Sequence, residues 1–299
     1  MQQKVRNRLV LGLVLFFPAA MFLAAFIFLS EDVPSLPPLP ASNGYEDLVK
    51  AGSMISNDPS DIDKLDQPQL SQRVSQNATA LALARTAMSN QCAVPMQFST
   101  NYIDAHLDDL AGVKRLGLAF AAEGRLAELQ NRTNDAAHSY LDAIRLGDDS
   151  SRGGALIDEL VGLALYQVGA RHLQQVVSQL DVQTSREAAA ELETLDDQRQ
   201  TWDDVVLQEQ VWSRRTFPGL GYELARIFDR RSLSAVLQSG EKKYIAAEQT
   251  QRQLMIALAA RAYGLDKGKP PANAADLVPD YLKAIPLDPL TGSQMGLSN

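Results

Sequence analysis

Residues 9–29 read LVLGLVLFFPAAMFLAAFIFL, 21 positions without a charge. At about 1.5 Å of rise per residue, a helix of this length reaches about 30 Å, the thickness of a bilayer's hydrocarbon core. The flanks are polarised: Lys4, Arg6 and Arg8 precede the stretch, and Glu31 and Asp32 follow it. Basic flanks stay cytoplasmic, so the pattern predicts a single-pass anchor in the cytoplasmic (inner) membrane, N-terminus inside and the bulk of the chain extracytoplasmic. A cleaved secretory signal shares this polarity, but its apolar core runs about 7–15 residues and closes on a small-x-small site. Here the run is longer and passes into Leu29-Ser-Glu-Asp-Val-Pro34, which offers no such site. Pro18 falls mid-span, where membrane helices tolerate proline.

Charge separates along the same line. Taking the three basic residues of 1–8 from a net charge of −8 leaves −11 beyond the apolar stretch. An acidic domain is repelled by phosphate backbones, which disfavours nucleic acid as a partner. The single cysteine, Cys92, cannot form an internal disulfide and reads as a small buried apolar residue.

Past the anchor, residues 33–40 hold four prolines in eight positions, a semi-rigid extended spacer. From Tyr45 on, the periodicity is helical and no alternating strand run interrupts it. Helices are predicted over 45–56, 69–89, 102–131 (with Gly112 or Gly117 as a break), 134–146 and 155–180. In the last of these, Leu156, Leu160, Leu163, Ala164 and Val168 point toward a core. Gly147-Asp-Asp-Ser-Ser-Arg-Gly-Gly154 reads as a loop. Thr184-Ser-Arg-Glu187 reads as a capping box opening one helix to about residue 215. After Pro218-Gly-Leu-Gly221, two further segments, 222–238 and 242–265, are predicted on either side of Gly240.

One window is similar to a tetratricopeptide repeat. With Gly117 at its first position, Phe120 falls on the first aromatic site and Gly124 on the close-packing glycine. Ala136, Tyr140 and Ala143 then follow at the second helix's spacing. Glu123 and Asp148 depart from the pattern, and a further step of 34 residues finds no second match. What this resemblance implies is helix-hairpin packing rather than a repeat array.

Candidate chemistry is sparse. His106 and Asp109 share a helical face, but a transition-metal site needs at least one more ligand, so these read as solvated polar groups. His138 and Asp142 form an i,i+4 pair worth a few tenths of about 1 kcal/mol. His172 stands beside Arg171 without an evident carboxylate. Gly264-Leu-Asp-Lys-Gly-Lys-Pro270 has glycines one residue too close for a phosphate loop, and Pro270 replaces its hydroxyl residue; it reads as a helix stop. With no nucleophile elbow, H-E-x-x-H or C-x-x-C, no catalytic, cofactor-binding or metal residue is assigned, no cofactor is implied, and the chain reads as a non-enzyme.

The C-terminal text is the most specific. Gly268 and Pro270-Pro271 end a helix, Asn273 and Asp276 cap a short turn, and Leu277, Val278, Tyr281, Leu282 and Ile285 fold back; Asp288-Pro and Thr-Gly292 give a final turn. This text resembles the closing segment of uncharacterised membrane-anchored helical proteins of planctomycete-type bacteria and, more distantly, the loop after the long helix of type II secretion pseudopilins. It covers about a tenth of the chain. A prepilin-peptidase site and the pseudopilin glutamate are missing, so filament assembly is not implied.

The reading is therefore all-α. A basic cytoplasmic flank (1–8) leads to a transmembrane anchor (9–29), a Pro-rich linker (30–44), an antiparallel helical-hairpin ectodomain (45–265) and a C-terminal Pro-rich docking segment (266–299). Its expected role is a membrane-anchored extracytoplasmic scaffold or interaction protein, with the lipid bilayer and other envelope proteins as partners. The alternatives are an envelope hydrolase using carboxylates gathered between helices, and a secretion-system-associated subunit.

Overall fold

The computed structural model describes residues 34–56, 61–217 and 230–297. The apolar stretch 9–29 and the Pro218–Gly221 break lie outside them. Among the described residues the protein is all-helical, and no helix is long and apolar enough to cross a membrane. The described residues form eight α-helices: α1 (Tyr45–Met54), α2 (Gln67–Met88), α3 (Tyr102–Leu129), α4 (Thr133–Ser151), α5 (Leu156–Val176), α6 (Val182–Gln198), α7 (Trp202–Thr216) and α8 (Arg230–Lys267). The extended pairings are isolated bridges, Asn43 with Gln91 and Leu287 with Gln294.

The helices pack in chain order. A cluster built on Leu48, Leu81, Met88, Val113, Leu116 and Phe120 joins α1, α2 and α3. A larger one, with Tyr140, Ile144, Leu173, Leu192, Ile256 and Leu258 at its centre, joins α4, α5, α6 and α8. Leu277, Tyr281 and Leu282 of the C-terminal segment enter this second cluster, with Val278 half-buried against it.

Small residues let neighbouring helices come close. A Cβ on Gly52 would lie 2.6 Å from the carbonyl carbon of Gly112, so α1 and α3 touch backbone to backbone. α3 runs unbroken through Gly112 and Gly117, where the sequence predicts a break: a Cβ on Gly117 would meet the Leu165 side chain of α5, so both glycines serve packing between helices.

Four other expectations are corrected. The predicted loop 147–154 is helical as far as Ser151. Gly147 lies against the Gly162 carbonyl, where an added Cβ would come within 2.5 Å, and the Ser150 and Ser151 hydroxyls donate to the carbonyls of Gly147 and Asp148. The turn comes only at Gly153, with φ +74°. The single helix predicted from Thr184 to 215 is two helices. Asp181 is the cap of the first, accepting from the Thr184 amide at 2.7 Å, and Thr201 with Asp204 caps the second reciprocally. Finally, α8 continues through Gly240, where a Cβ would lie 2.7 Å from the Trp202 ring. On α5, Ala164 is exposed, and Leu165 and Tyr166 turn inward instead.

Candidate functional site

A cleft of ≈ 1540 Å³ runs between residues 35–40, the loop 89–98, the C-terminal half of α4, and α6 and α7. The sequence dictates its walls in separate ways. Proline keeps 34–40 extended, and Asn43 pins the end of that strap by donating to the Ala93 carbonyl (2.7 Å) and accepting from the Ala93 amide (3.0 Å). The loop 89–98 is tied to α4 where the Val94 amide donates to the Arg152 carbonyl at 2.9 Å, and to α7 where Trp212 Nε1 donates to the Gln97 carbonyl at 3.0 Å.

The floor is ionic because α4 extends further than its composition suggests. Its last turns place Arg145, Asp148, Asp149 and Arg152 at i,i+3 and i,i+4 spacing. Arg152 pairs with Asp148, while Asp149 meets Arg145 Nε at 3.4 Å and Arg152 Nη1 at 3.5 Å. Arg145 also donates to the Met88 carbonyl. Behind them, Gln200 Nε2 donates to Glu159 at 2.9 Å, and Gln200 Oε1 accepts from the Gly153 amide at 3.0 Å.

Burial sets the protonation of this floor. Asp149 is 4% exposed, and its carboxyl is pushed up to about 6 by burial foremost, with Arg152 and Arg145 opposing and the neighbouring Asp148 adding to the rise. Burial also raises Asp148 and Glu159, and it raises Glu191, which faces the same cleft from α6. Cys92 lines the cleft wall, but its side chain is buried and its thiol is pushed up to about 12 by burial and then by Asp149, so it is held as a neutral, packed group.

The sign of the Asp149 shift gives a stability prediction. Between about pH 4 and 6 the folded chain holds a proton that the unfolded chain, with an ordinary carboxyl near about 3.9, has released. That stabilisation is full below about pH 4 and is lost as pH rises through about 6. Asp149→Asn removes the titration, so its stability relative to the parent is expected to improve by about 1–3 kcal/mol from pH 4 to pH 7.5. Urea unfolding at the two pH values checks this; a pH-independent difference would mean that Asp149 is solvated.

The residues weighed in the sequence fall elsewhere. His106 is buried rather than solvated, and its Nε2 lies 2.6 Å from Asp158 Oδ1, not beside Asp109 as a ligand. Asp142 is taken by Arg85 Nε at 2.7 Å, leaving the exposed His138 outside that pair. His172 is buried, stacked on Tyr140 at 5.1 Å, and has a carboxylate neighbour after all in Asp63 at 3.9 Å. Its pKa is lowered, burial being the largest cause. Gly264–Pro270 is a helix stop, with α8 ending at Lys267 and Gly268 at φ +66°. Among the described residues no three His, Cys, Asp or Glu side chains gather as a metal site requires.

Sequence reasoning missed the cleft floor because its key residues sit in the segment read as a loop. The available signal was the i,i+4 spacing of Arg145 with Asp149 and of Asp148 with Arg152. The chain matches no protein-family model, no curated protein and no solved structure.

Proposed function

We propose that this protein is a membrane-tethered, extracytoplasmic helical scaffold whose cleft takes an extended segment of another envelope protein. The observation that carries the reading is the cleft itself. Its volume of ≈ 1540 Å³ exceeds the usual range of about 300–1,000 Å³ for small-molecule sites. Its walls combine apolar surface from Leu36, Pro95, Met96 and Leu207 with charged groups of both signs, as suits a polypeptide with peptide groups and mixed side chains. The tether comes from the apolar stretch 9–29 and its charged flanks. The Gly124–Tyr140 contact between α3 and α4 supports the tetratricopeptide-like hairpin as the scaffold's packing unit.

The test uses the full chain in intact cells. A photo-crosslinking residue at Thr194, exposed on the α6 wall, is expected to trap a discrete protein neighbour, whereas one at Lys243, exposed on α8, is not. Leu207→Trp, which fills the cleft, is expected to reduce the Thr194 adduct at least several-fold. Adducts equal at both positions, or unaffected by Leu207→Trp, would count against the cleft as the binding surface.

One observation favours a second reading, acid–base hydrolysis: Asp149 and Glu191 face the same cleft and burial raises both. Hydrolysis of chromogenic glycosides or esters by the parent, abolished in both Asp149→Asn and Glu191→Gln, would turn the assignment that way.

A further inference from the structure

Where the strap leaves the described chain, the domain presents an exposed aromatic and basic rim. Arg215, near the end of α7, reaches the Pro34 carbonyl with Nη2 at 3.4 Å and lies over the Phe98 ring at 4.8 Å. Phe217 meets Trp212 edge-on at 6.1 Å. Phe98 is 37% exposed, Phe217 45% and Leu39, further along the strap, 52%; Arg215 is exposed as well. Arg215 and Trp212 cover one side of these rings, and the remainder of each is open.

The length of chain before Pro34 says what can. Five residue steps separate Leu29, the last residue of the apolar stretch, from Pro34, and fully extended they span at most about 17 Å. The headgroup layer occupies about 5–8 Å of that distance. Pro34 therefore lies at most about 9–12 Å beyond the headgroups, close to one Debye length (about 8–10 Å), and Arg215 lies beside it. The acidic bulk of the domain and the tether's own Glu31 and Asp32 are repelled from an anionic surface, while the exposed Arg215 in the last turn of α7 is drawn to it. Arg215 beside the tether therefore draws this end of the molecule toward the membrane.

We infer that the rim formed by Phe98, Arg215, Phe217 and Leu39 docks on the bilayer interface, its rings at headgroup level and the guanidinium on lipid phosphate. The inference rests on the anchor reading of 9–29. Aromatic side chains settle at the interface, and long basic side chains extend to phosphate with their stems in the apolar layer. Docking holds the cleft rim at the membrane surface, so the segment that the cleft receives is a juxtamembrane one.

The full chain, reconstituted in phosphatidylcholine vesicles with and without phosphatidylglycerol, provides the test. A polarity-sensitive fluorophore is placed on Phe217→Cys and, for comparison, on Leu290→Cys in the exposed C-terminal turn. Cys92 is buried and stays unlabelled. The Phe217 probe is expected to shift to the blue and to be quenched by headgroup-level nitroxide lipids several-fold more than the Leu290 probe. Arg215→Glu is expected to reduce that quenching several-fold in phosphatidylglycerol vesicles while the protein still floats with them. A probe on Leu39→Cys repeats the measurement independently should one variant misfold. Equal, solvent-like signals from both probes on protein that floats would overturn the docking and leave the anchor standing. Protein that fails to float would overturn both.

Discussion

Asp158→Ala is expected to destabilise the fold by about 2–6 kcal/mol, the cost of leaving two buried polar groups without their partner at about 1–3 kcal/mol each. The carboxylate is 1% exposed and serves two partners. Oδ1 meets His106 Nε2 at 2.6 Å, and Oδ2 accepts from the Ala155 amide at 2.8 Å, capping the first turn of α5. His106 is itself 3% exposed and stacks on Tyr102 at 4.6 Å. Burial foremost, and then the charge of Asp158, raises the pKa of the Tyr45 and Tyr102 hydroxyls. Removing it strands an imidazole nitrogen and a helix-end N–H where water does not reach. Asp158→Asn keeps an acceptor for the Ala155 amide and is expected to recover about 1–2 kcal/mol of the loss, the worth of one hydrogen bond. Urea unfolding of the variants decides the matter. A loss below about 1 kcal/mol for Asp158→Ala would mean that solvent, and not His106, stabilises the carboxylate.

That pair also marks the limit of what the sequence discloses. His106 and Asp158 are 52 residues apart on different helices, and no periodicity links them. The solvated reading of His106 failed because it looked only within one helix, whereas tertiary packing supplies the partner. Helical class, by contrast, is written locally. The spacing of Leu70, Leu81 and Ala84, or of Leu192 and Leu195, needs only a 3.6-residue period to be read, and all of these are buried. The C-terminal turns were legible for the same reason: Asn273 accepts from the Ala275 amide at 2.8 Å, and Asp288 Oδ1 from the amides of Leu290 and Thr291 at 2.9 Å, both short-range side-chain turns. Composition misled at 147–154, where Gly, Asp and Ser suggest a loop until Gly162 of the next helix is brought against Gly147. It misled again at Thr184, a capping residue type three positions inside a helix already capped by Asp181. The cleft draws its walls from five separated stretches, and only their assembly makes a site.

Tyr140→Ala is the second large loss expected, about 3–5 kcal/mol for truncating a fully buried aromatic side chain. The ring is 0% exposed, stacks on His172 at 5.1 Å, and its hydroxyl donates to Glu128. It also fills the space that Gly124 leaves: a Cβ there would lie 2.3 Å from Cε1. Gly124→Ala alone should therefore cost about 1–3 kcal/mol by overpacking, since the ring is held on its other side and cannot retreat. With Tyr140 truncated, the same methyl enters vacated space. The double variant is then expected to be less unstable than the sum of the singles by at least about 1 kcal/mol. Tyr140→Phe isolates the hydroxyl: Glu128 keeps Arg125 at 2.7 Å, so the loss should be about 1 kcal/mol. Strict additivity of Gly124→Ala and Tyr140→Ala would show that the ring does not set the spacing of α3 and α4. The glycine–tyrosine signature at 124 and 140 would then be incidental to the hairpin, and generic apolar burial would suffice to explain why these two helices meet.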